Sequence, residues 1–332
     1  MTPWLSGLDS SNRDALVTDT PSIPAMRTHC LARFLIDLPE DFEPMGDVEL
    51  IYGLNKDYRK VKVETLLDLG STALFERTTA ARAAELASQY HSKAPSKSML
   101  VFSRRVQERT VLIRSYDAPN MLKYFVSELY AVKGTAVVKV TSQTYAQDDP
   151  EAIESAAQSV VDKISFMLDP MKAGRGACLG PLLIDAGQDG EWFTVSFKSK
   201  RMPDVLIEFN SNSLLAESDG GLLARTSREK GRLEKAGFRS DTIRRGKIAI
   251  ANRPGEELLI KGLDHGKVVR LFVSEPLLPK PATFAEPSFA INMKMGGQRG
   301  SPEYVDASMS EPDAVAMWDA IVKSIRLRPG AI

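Results

Sequence analysis

The chain has 332 residues, 43% hydrophobic and 26% charged, with 43 Lys and Arg set against 43 Asp and Glu. That is the make-up of a folded protein of about two domains, and it excludes a disordered or collagen-like chain. The neutral balance lacks the basic excess of a nucleic-acid binder, and two Cys with three His suit neither a disulfide scaffold nor a metal centre.

In chain order, residues 1–25 are rich in Ser, Asp and Pro and read as a flexible arm, pinned by Trp4 and Leu5. They lack the basic start and apolar centre of a secretion signal, and no run reaches the ~18 apolar residues of a membrane span. Two readings stand side by side: a cytoplasmic protein, or the mature start of one whose signal has been removed. The spacing of Ala83, Leu86 and Tyr90 predicts a helix over Ala73 to Tyr90. Leu122 to Val132 and Thr135 to Gln143 flank Lys133-Gly134 and predict a hairpin, its tight turn needing the glycine. From Asp149 onward, Ile153, Ala156, Ala157, Val160, Val161, Ile164 and Met167 form one apolar helical stripe, with Asp149 as cap and Pro150 in the first turn. Pro170 is expected to stop this helix, and Asp169 to Gly176 form the seam of the chain.

Beyond the seam the pattern starts again. Cys30-Leu31-Ala32-Arg33-Phe34-Leu35-Ile36-Asp37 returns as Cys178-Leu179-Gly180-Pro181-Leu182-Leu183-Ile184-Asp185. Phe193, Val195 and Phe197 alternate with polar residues as a half-buried strand does, and Val269, Leu271 and Val273 do likewise. A helix is predicted over Asp219 to Ala236, carrying Leu222, Thr226 and Leu233 and closed at Gly237. A last helix carries Val315, Trp318, Val322 and Ile325, with Ser310 and Asp313 spaced as a capping box. The expectation is an α+β fold of two tandem, structurally related lobes, residues 26–170 and 178–332. Each lobe is a mainly antiparallel sheet with about two helices, and the pair forms a cleft or jaw.

The search for chemistry is mostly negative. There is no G-x-S-x-G elbow, no H-E-x-x-H helix and no phosphate loop, since Gly296-Gly297-Gln298-Arg299-Gly300 lacks the Lys-Ser/Thr ending. No catalytic residue, cofactor site or metal site is assigned. His29, His91 and His265 read as solvated loop residues. Cys30 and Cys178 read as buried thiols, with a bridge between the lobes as the alternative in an oxidising compartment. Arg104-Arg105 and Arg244-Arg245-Gly246-Lys247 read as solvated or acid-seeking spots. Asp37 and Asp185 read as strand-end hydrogen-bonding groups used twice.

The stretch Thr28-His29-Cys30-Leu31-Ala32-Arg33-Phe34-Leu35-Ile36-Asp37-Leu38-Pro39 resembles the Cys-x-Gly-Arg-[Tyr/Phe]-x-[Ile/Val]-Asp-Leu-Pro run of one immunity-protein family. That family protects bacteria from type VI secretion lipase effectors. Ala32 departs from the run, where Gly is expected. The resemblance implies a non-enzymatic, periplasmic inhibitor whose partner is a cognate phospholipase effector, restrained at its lid, with no nucleic acid involved. Candidate partner contacts are Arg201, Met202, Met295, Gln298, Arg299 and Tyr304, in loops that combine aromatic, Met and Arg residues; ordinary exposed loops are the plainer reading of the same residues. The alternatives are an envelope protein that binds lipid or peptide between the lobes, and a hydrolase with an unfamiliar site.

Overall fold

The computed structural model describes residues 24–45, 48–52, 61–66, 72–185, 190–215, 220–235, 240–278, 281–283, 285–298 and 303–332. The expected arm, with Trp4 and Leu5, lies outside the described residues up to residue 23. The first half runs β1 (Met26–Ala32), β2 (Phe34–Pro39), β3 (Phe42–Pro44), β4 (Val48–Tyr52), β5 (Val61–Leu66), α1 (Thr72–Ser88), β6 (Tyr90–His91), β7 (Ala94–Ser98), β8 (Leu100–Gln107), β9 (Thr110–Tyr116), β10 (Phe125–Lys133), β11 (Ala136–Thr144), α2 (Pro150–Asp162) and β12 (Ile164–Phe166). The second half runs β13 (Ala177–Leu179), β14 (Leu182–Ile184), β15 (Glu191–Ser199), β16 (Val205–Asn212), α3 (Leu222–Lys235), β17 (Ser240–Ile250), β18 (Arg253–Asp264), β19 (Lys267–Pro276), β20 (Ser288–Met295), β21 (Gly297–Gln298), β22 (Tyr304–Val305), α4 (Glu311–Ser324) and β23 (Arg326–Leu327).

The local signals act as their chemistry requires. Asp149 accepts from the Glu151 N–H at 3.0 Å and starts α2, and Ser310 accepts from the Asp313 N–H at 3.3 Å and starts α4. Both helices carry Pro in their first turn. Lys133 faces Ala136 across the predicted hairpin, with Gly134 at φ +59°. Pro170 does not end a helix. α2 stops at Asp162, and the chain has already become the strand β12 before it reaches the proline.

The repeated Cys motifs form twin hairpins, β1–β2 and β13–β14, and these pair with each other. Leu31 faces its own counterpart Leu179, and Ala32 faces Cys178 one step on, the register of a two-fold symmetric contact. The resulting six-stranded sheet has the order β12-β14-β13-β1-β2-β23. Each half's closing strand therefore completes the other half's hairpin. The thirteen-stranded sheet obeys the same symmetry. From its centre, β4-β5-β11-β10-β9-β8 run one way and β15-β16-β20-β19-β18-β17 the other, joined by β4 against β15, with β3 off this path as a thirteenth strand paired to β15.

One core cluster crosses this joint. Phe34 of the first hairpin packs on Phe289 and Phe209 of the second half, with ring centroids 4.7 and 5.9 Å apart. Arg33 is 3% exposed and forms a forked pair with Glu191 at 2.9 and 2.6 Å, and it also donates to the Ala331 carbonyl. Burial lifts the Glu191 carboxyl above its ordinary range, against the opposing pull of Arg33. Arg328 donates to the carbonyls of Ala173, Gly174 and Gly176, which ties the seam to the C-terminal segment.

Cys30 and Cys178 are bridged, with their Cα atoms 5.7 Å apart, so the expectation of two buried free thiols does not hold. The bridge joins equivalent positions across the symmetric contact and spans 148 residues of chain. Closing so long a loop removes much unfolded-state entropy. Replacing both cysteines by Ala is expected to lower unfolding free energy by about 3–5 kcal/mol, measured by denaturant titration.

Ala32 sits at φ +51°, and its counterpart Gly180 at φ +59°. A left-handed conformation is steric strain for a residue with a Cβ and free of it for glycine. Ala32→Gly is expected to stabilise the protein by about 1 kcal/mol, seen as a higher melting temperature.

Candidate functional site

Of the candidate contact residues, Arg201, Met202, Gln298 and Tyr304 lie along one rim of the second half. Asp204, 6% exposed, fastens it: its carboxylate accepts from the N–H groups of Gly296 and Ser308 at 3.2 and 3.0 Å and from the Ser308 hydroxyl at 2.6 Å. This ties the β15–β16 loop to the segments flanking the small ribbon β21–β22. Gly296, at φ +73°, passes so close to Val268 and Ala307 that a Cβ would lie 2.5 and 2.7 Å from their backbone atoms. Gly296, the first glycine of the stretch that lacks a phosphate-loop ending, is thus a sharp bend required by close packing.

On this rim Tyr304 stacks on His265, ring centroids 4.1 Å apart, and His265 occupies the β18–β19 turn at φ +50°. Gln298 pairs with Tyr304 across β21–β22 and is exposed. Leu263, Val268 and Val305 lie exposed around them. Asp306 accepts from the Val268 N–H and pairs with Lys267, and those interactions, the backbone one first, hold its carboxyl below the ordinary range. Arg201 donates to Asp41 of the first half at 2.9 Å, so the β15–β16 loop is braced across the joint. Burial pushes the Asp41 carboxyl up, but hydrogen bonds from Arg201 and Ser199 hold it below its usual range. Met202 packs partly buried on the main core. Met295 is fully buried, because the odd residues of β20 face inward, and it contributes nothing to the surface. Arg299 lies outside the described residues.

The other suspected residues are structural. His29 is not a loop residue: it lies within β1, its ring edge-on to Phe197 at 4.9 Å, and burial, helped by Arg27 and opposed by Asp37, lowers its pKa to about 4. His91 is fully buried, its Nδ1 accepting from the Lys93 N–H at 3.2 Å. Asp37 accepts from Thr28 at 2.7 Å and pairs with Arg326 at 3.2 Å, and Asp185 pairs with Arg175 at 3.3 Å. The two basic clusters occupy symmetry-related edge strands, β8 and β17. In each, one Arg reaches the helix on one face and its neighbour the helix on the other. Arg104 pairs with Glu154 and Arg105 with Glu76; Arg244 pairs with Asp319 and Arg245 bonds Ser227. Among the described residues no group of three or more His, Cys, Asp or Glu is placed to hold a metal.

The helices leave a second surface. α2 and α4 pack on the core face of the large sheet, while α1 covers β8 to β10 and α3 covers β18 on the opposite face. Between α1 and α3 that face is open among the described residues. Trp192 stands there 47% exposed, flanked in register by Ile51 and Asn212. The outward position of Trp192 was readable from the inward alternation of Phe193, Val195 and Phe197. Asp204 was not, because nothing in Pro203-Asp204 tells which distant N–H groups it will meet.

A rigid two-fold scaffold that fixes exposed loops and an open sheet face defines a binding class of protein. Residues 170–330 match the family described as the Tle cognate immunity protein 4 C-terminal domain. The fold matches the apo structure of the immunity protein TplEi of the type VI secretion system from Pseudomonas aeruginosa, at TM-score 0.68 and 24% identity, covering 92% of this chain and 98% of that one. It matches a chain of the Tle4–Tli4 complex at TM-score 0.67 and 23% identity, over 92% and 98% of the two chains. TplEi complexed with an "L" peptide matches at TM-score 0.64 and 23% identity, over 93% and 100%. No curated protein sequence matches the chain. Over residues 170–330 the chain is thus similar to that immunity-protein C-terminal domain, and its fold as a whole is that of these solved structures.

Asp204→Ala should release three hydrogen bonds at once. Amide exchange across Gly296 and residues 304–308 is expected to rise by at least about tenfold, with a stability loss of about 1–3 kcal/mol. Unchanged protection there, measured by mass spectrometry, would show that the rim is held by other contacts.

Proposed function

We propose that this chain is a periplasmic immunity protein that binds a type VI secretion phospholipase effector and blocks it by holding the lid over its active site. The observation that carries this reading is the match of residues 170–330 to the Tle cognate immunity domain, together with a fold shared over 92% of the chain with TplEi and with the Tle4–Tli4 complex. Such an inhibitor needs no catalytic group of its own. It needs a surface already in its binding shape, since ordering costs subtract from affinity. Residues 26–170 and 178–332 act as paired domains braced at the joint, and the rim carrying Gln298 and Tyr304, together with Arg299, belongs to the contact surface. A lid held shut stops catalysis without touching the nucleophile, because the lid must move before lipid enters. Periplasmic residence fits the Cys30–Cys178 bridge, which persists in an oxidising compartment and would be reduced in most cytosols. No helix among the described residues is long and apolar enough to cross a membrane.

A cavity of about 350 Å³ lies within the second half, between β17, β18 and α4, and its Arg244 is already engaged by Asp319 and Glu257.

Mixing the purified chain with the phospholipase encoded beside it is expected to give a stable one-to-one complex and to abolish phospholipid hydrolysis. Absence of a complex would end the proposal. Replacing Arg299 and Tyr304 by Ala should weaken binding by about 1–2 kcal/mol or more, with the melting temperature nearly unchanged; unaltered affinity would remove those two residues from the interface.

A further inference from the structure

The two closing strands are anchored alike. The Met167 N–H donates to the Pro181 carbonyl at 2.8 Å, and the Arg328 N–H donates to the Arg33 carbonyl at 2.9 Å, the same bond at equivalent places. From β12 the chain must then cross to β13, and residues 167–176 make that crossing. The six-stranded sheet turns Leu31, Phe34, Leu179 and Leu182 into the main core. Its other face carries the Cys30–Cys178 bridge with Leu35 and Leu183, and there Met167 and Ala173 pack on the bridge. Met167 Sδ lies 3.8 Å from Cys178 Sγ, and Cys178 is fully buried. The crossing segment is a strap laid over a disulfide.

Little else holds the strap down. Leu168 is 92% exposed and Met171 52%, and the Arg175–Asp185 pair is exposed on both sides. The carbonyls of Ala173, Gly174 and Gly176 accept from one side chain, Arg328, at 2.7, 2.7 and 2.9 Å. Arg328 is 1% exposed, its hydrogen-bond partners among the described residues are all carbonyls, and its Nε has none. Burial, helped by nearby Arg33, lowers its pKa. A buried cation satisfied only by carbonyls is a costly fastening. The halves, by contrast, are joined by strand exchange and by β4 against β15, which the strap does not supply. A segment with so few buried contacts opens at a small fraction of the cost of global unfolding.

We propose that residues 167–176 are a redox gate, latched by Arg328, which opens while the halves stay joined and admits a thiol to Cys178. The exchange balances with a dithiol as reductant. One thiolate of the dithiol attacks Cys178 Sγ, a new sulfur–sulfur bond forms there, and Cys30 leaves as a thiolate. The second thiolate then displaces Cys178 and closes the reagent into a cyclic disulfide. Two electrons and two protons pass from the dithiol to the two cysteines. A small disulfide as oxidant runs the same steps backward. The bridge is thus made and broken in a folded chain, whatever protein that chain binds.

The test takes the full oxidised chain with dithiothreitol as the dithiol, traps free thiols with iodoacetamide, and counts them by mass spectrometry at rising sub-denaturing urea. The wild-type reduction rate is expected to stay flat until unfolding begins, because a local opening exposes little surface. Arg328→Met should raise the rate by at least about tenfold, still flat in urea. Arg326→Met removes a neighbouring pair with Asp37 and leaves the strap alone, so its rate should stay within about twofold of wild type. A wild-type rate that climbs with urea in step with global unfolding would overturn the gate. So would an Arg328→Met rate equal to wild type, or an equal rise in Arg326→Met. Should Arg328→Met fail to fold, Met167→Ala takes its place. Clearing the space beside Cys178 is expected to speed reduction by at least about threefold, and a wild-type rate there counts against the gate equally.

Discussion

Neither half of this protein can finish its own sheet. β12, the last strand of the first half, pairs with the hairpin of the second, and β23, the last strand of the second, pairs with the hairpin of the first. At the centre of the exchange Arg33 and Glu191 form a forked ion pair with almost no access to water. Removing one partner of such a pair typically costs about 3–5 kcal/mol, because the other charge is left buried and alone. The halves are therefore not lobes on a hinge. Strand exchange, the Cys30–Cys178 bridge, a common core and the β4–β15 pairing all fix the same relative placement. Everything exposed on either half is held at a set distance from everything exposed on the other.

That rigidity bears on how an inhibitor gains affinity. Nanomolar binding is worth about −12 kcal/mol, and each side chain ordered on binding subtracts from it. Here the ordering is done at folding. Asp204 has already tied the rim loops together, Gly296 has already bent the chain past Val268, and the Tyr304–His265 stack is already made. The paired arginines of β8 and β17 serve the same end in another way. Each pair fastens helices to both faces of an edge strand and leaves charge along the edge, which discourages pairing with a further strand.

How much of this was legible in the sequence depends on whether the signal was local. Asp149 and Ser310 cap helices through N–H groups two or three residues away, so their roles could be read directly. The repeat of Cys-Leu-x-x-x-Leu-Ile-Asp was legible because both copies do the same job at a symmetric contact. Met295 and Met202 were misleading, since loop composition says nothing of which residue of a strand end turns inward. His29 reads as a loop residue because Arg27 and Thr28 make the opening of β1 look polar, although its ring meets Phe197 edge-on. Asp204 has partners about a hundred residues away, and no spacing rule reaches that far.

The same division explains why the resemblance in the first strands identifies the fold and leaves the binding face unread. Cys30, Ala32 and Arg33 sit in the joint: the bridge, the left-handed turn and the buried ion pair. Any chain built by this exchange of strands faces the same three physical demands there, a short left-handed turn, a covalent tie and a guanidinium for a buried carboxylate. Ala32 meets the first of them imperfectly, and its counterpart Gly180 meets it without strain. The exposed aromatic pairs answer to no such demand. Tyr124 meets Tyr145 edge-on while His265 lies tilted on Tyr304, and the two pairs arise from unrelated sequence. A scaffold that confines its strict requirements to a buried joint leaves its exposed turns free to vary, because those side chains take no part in holding the halves together.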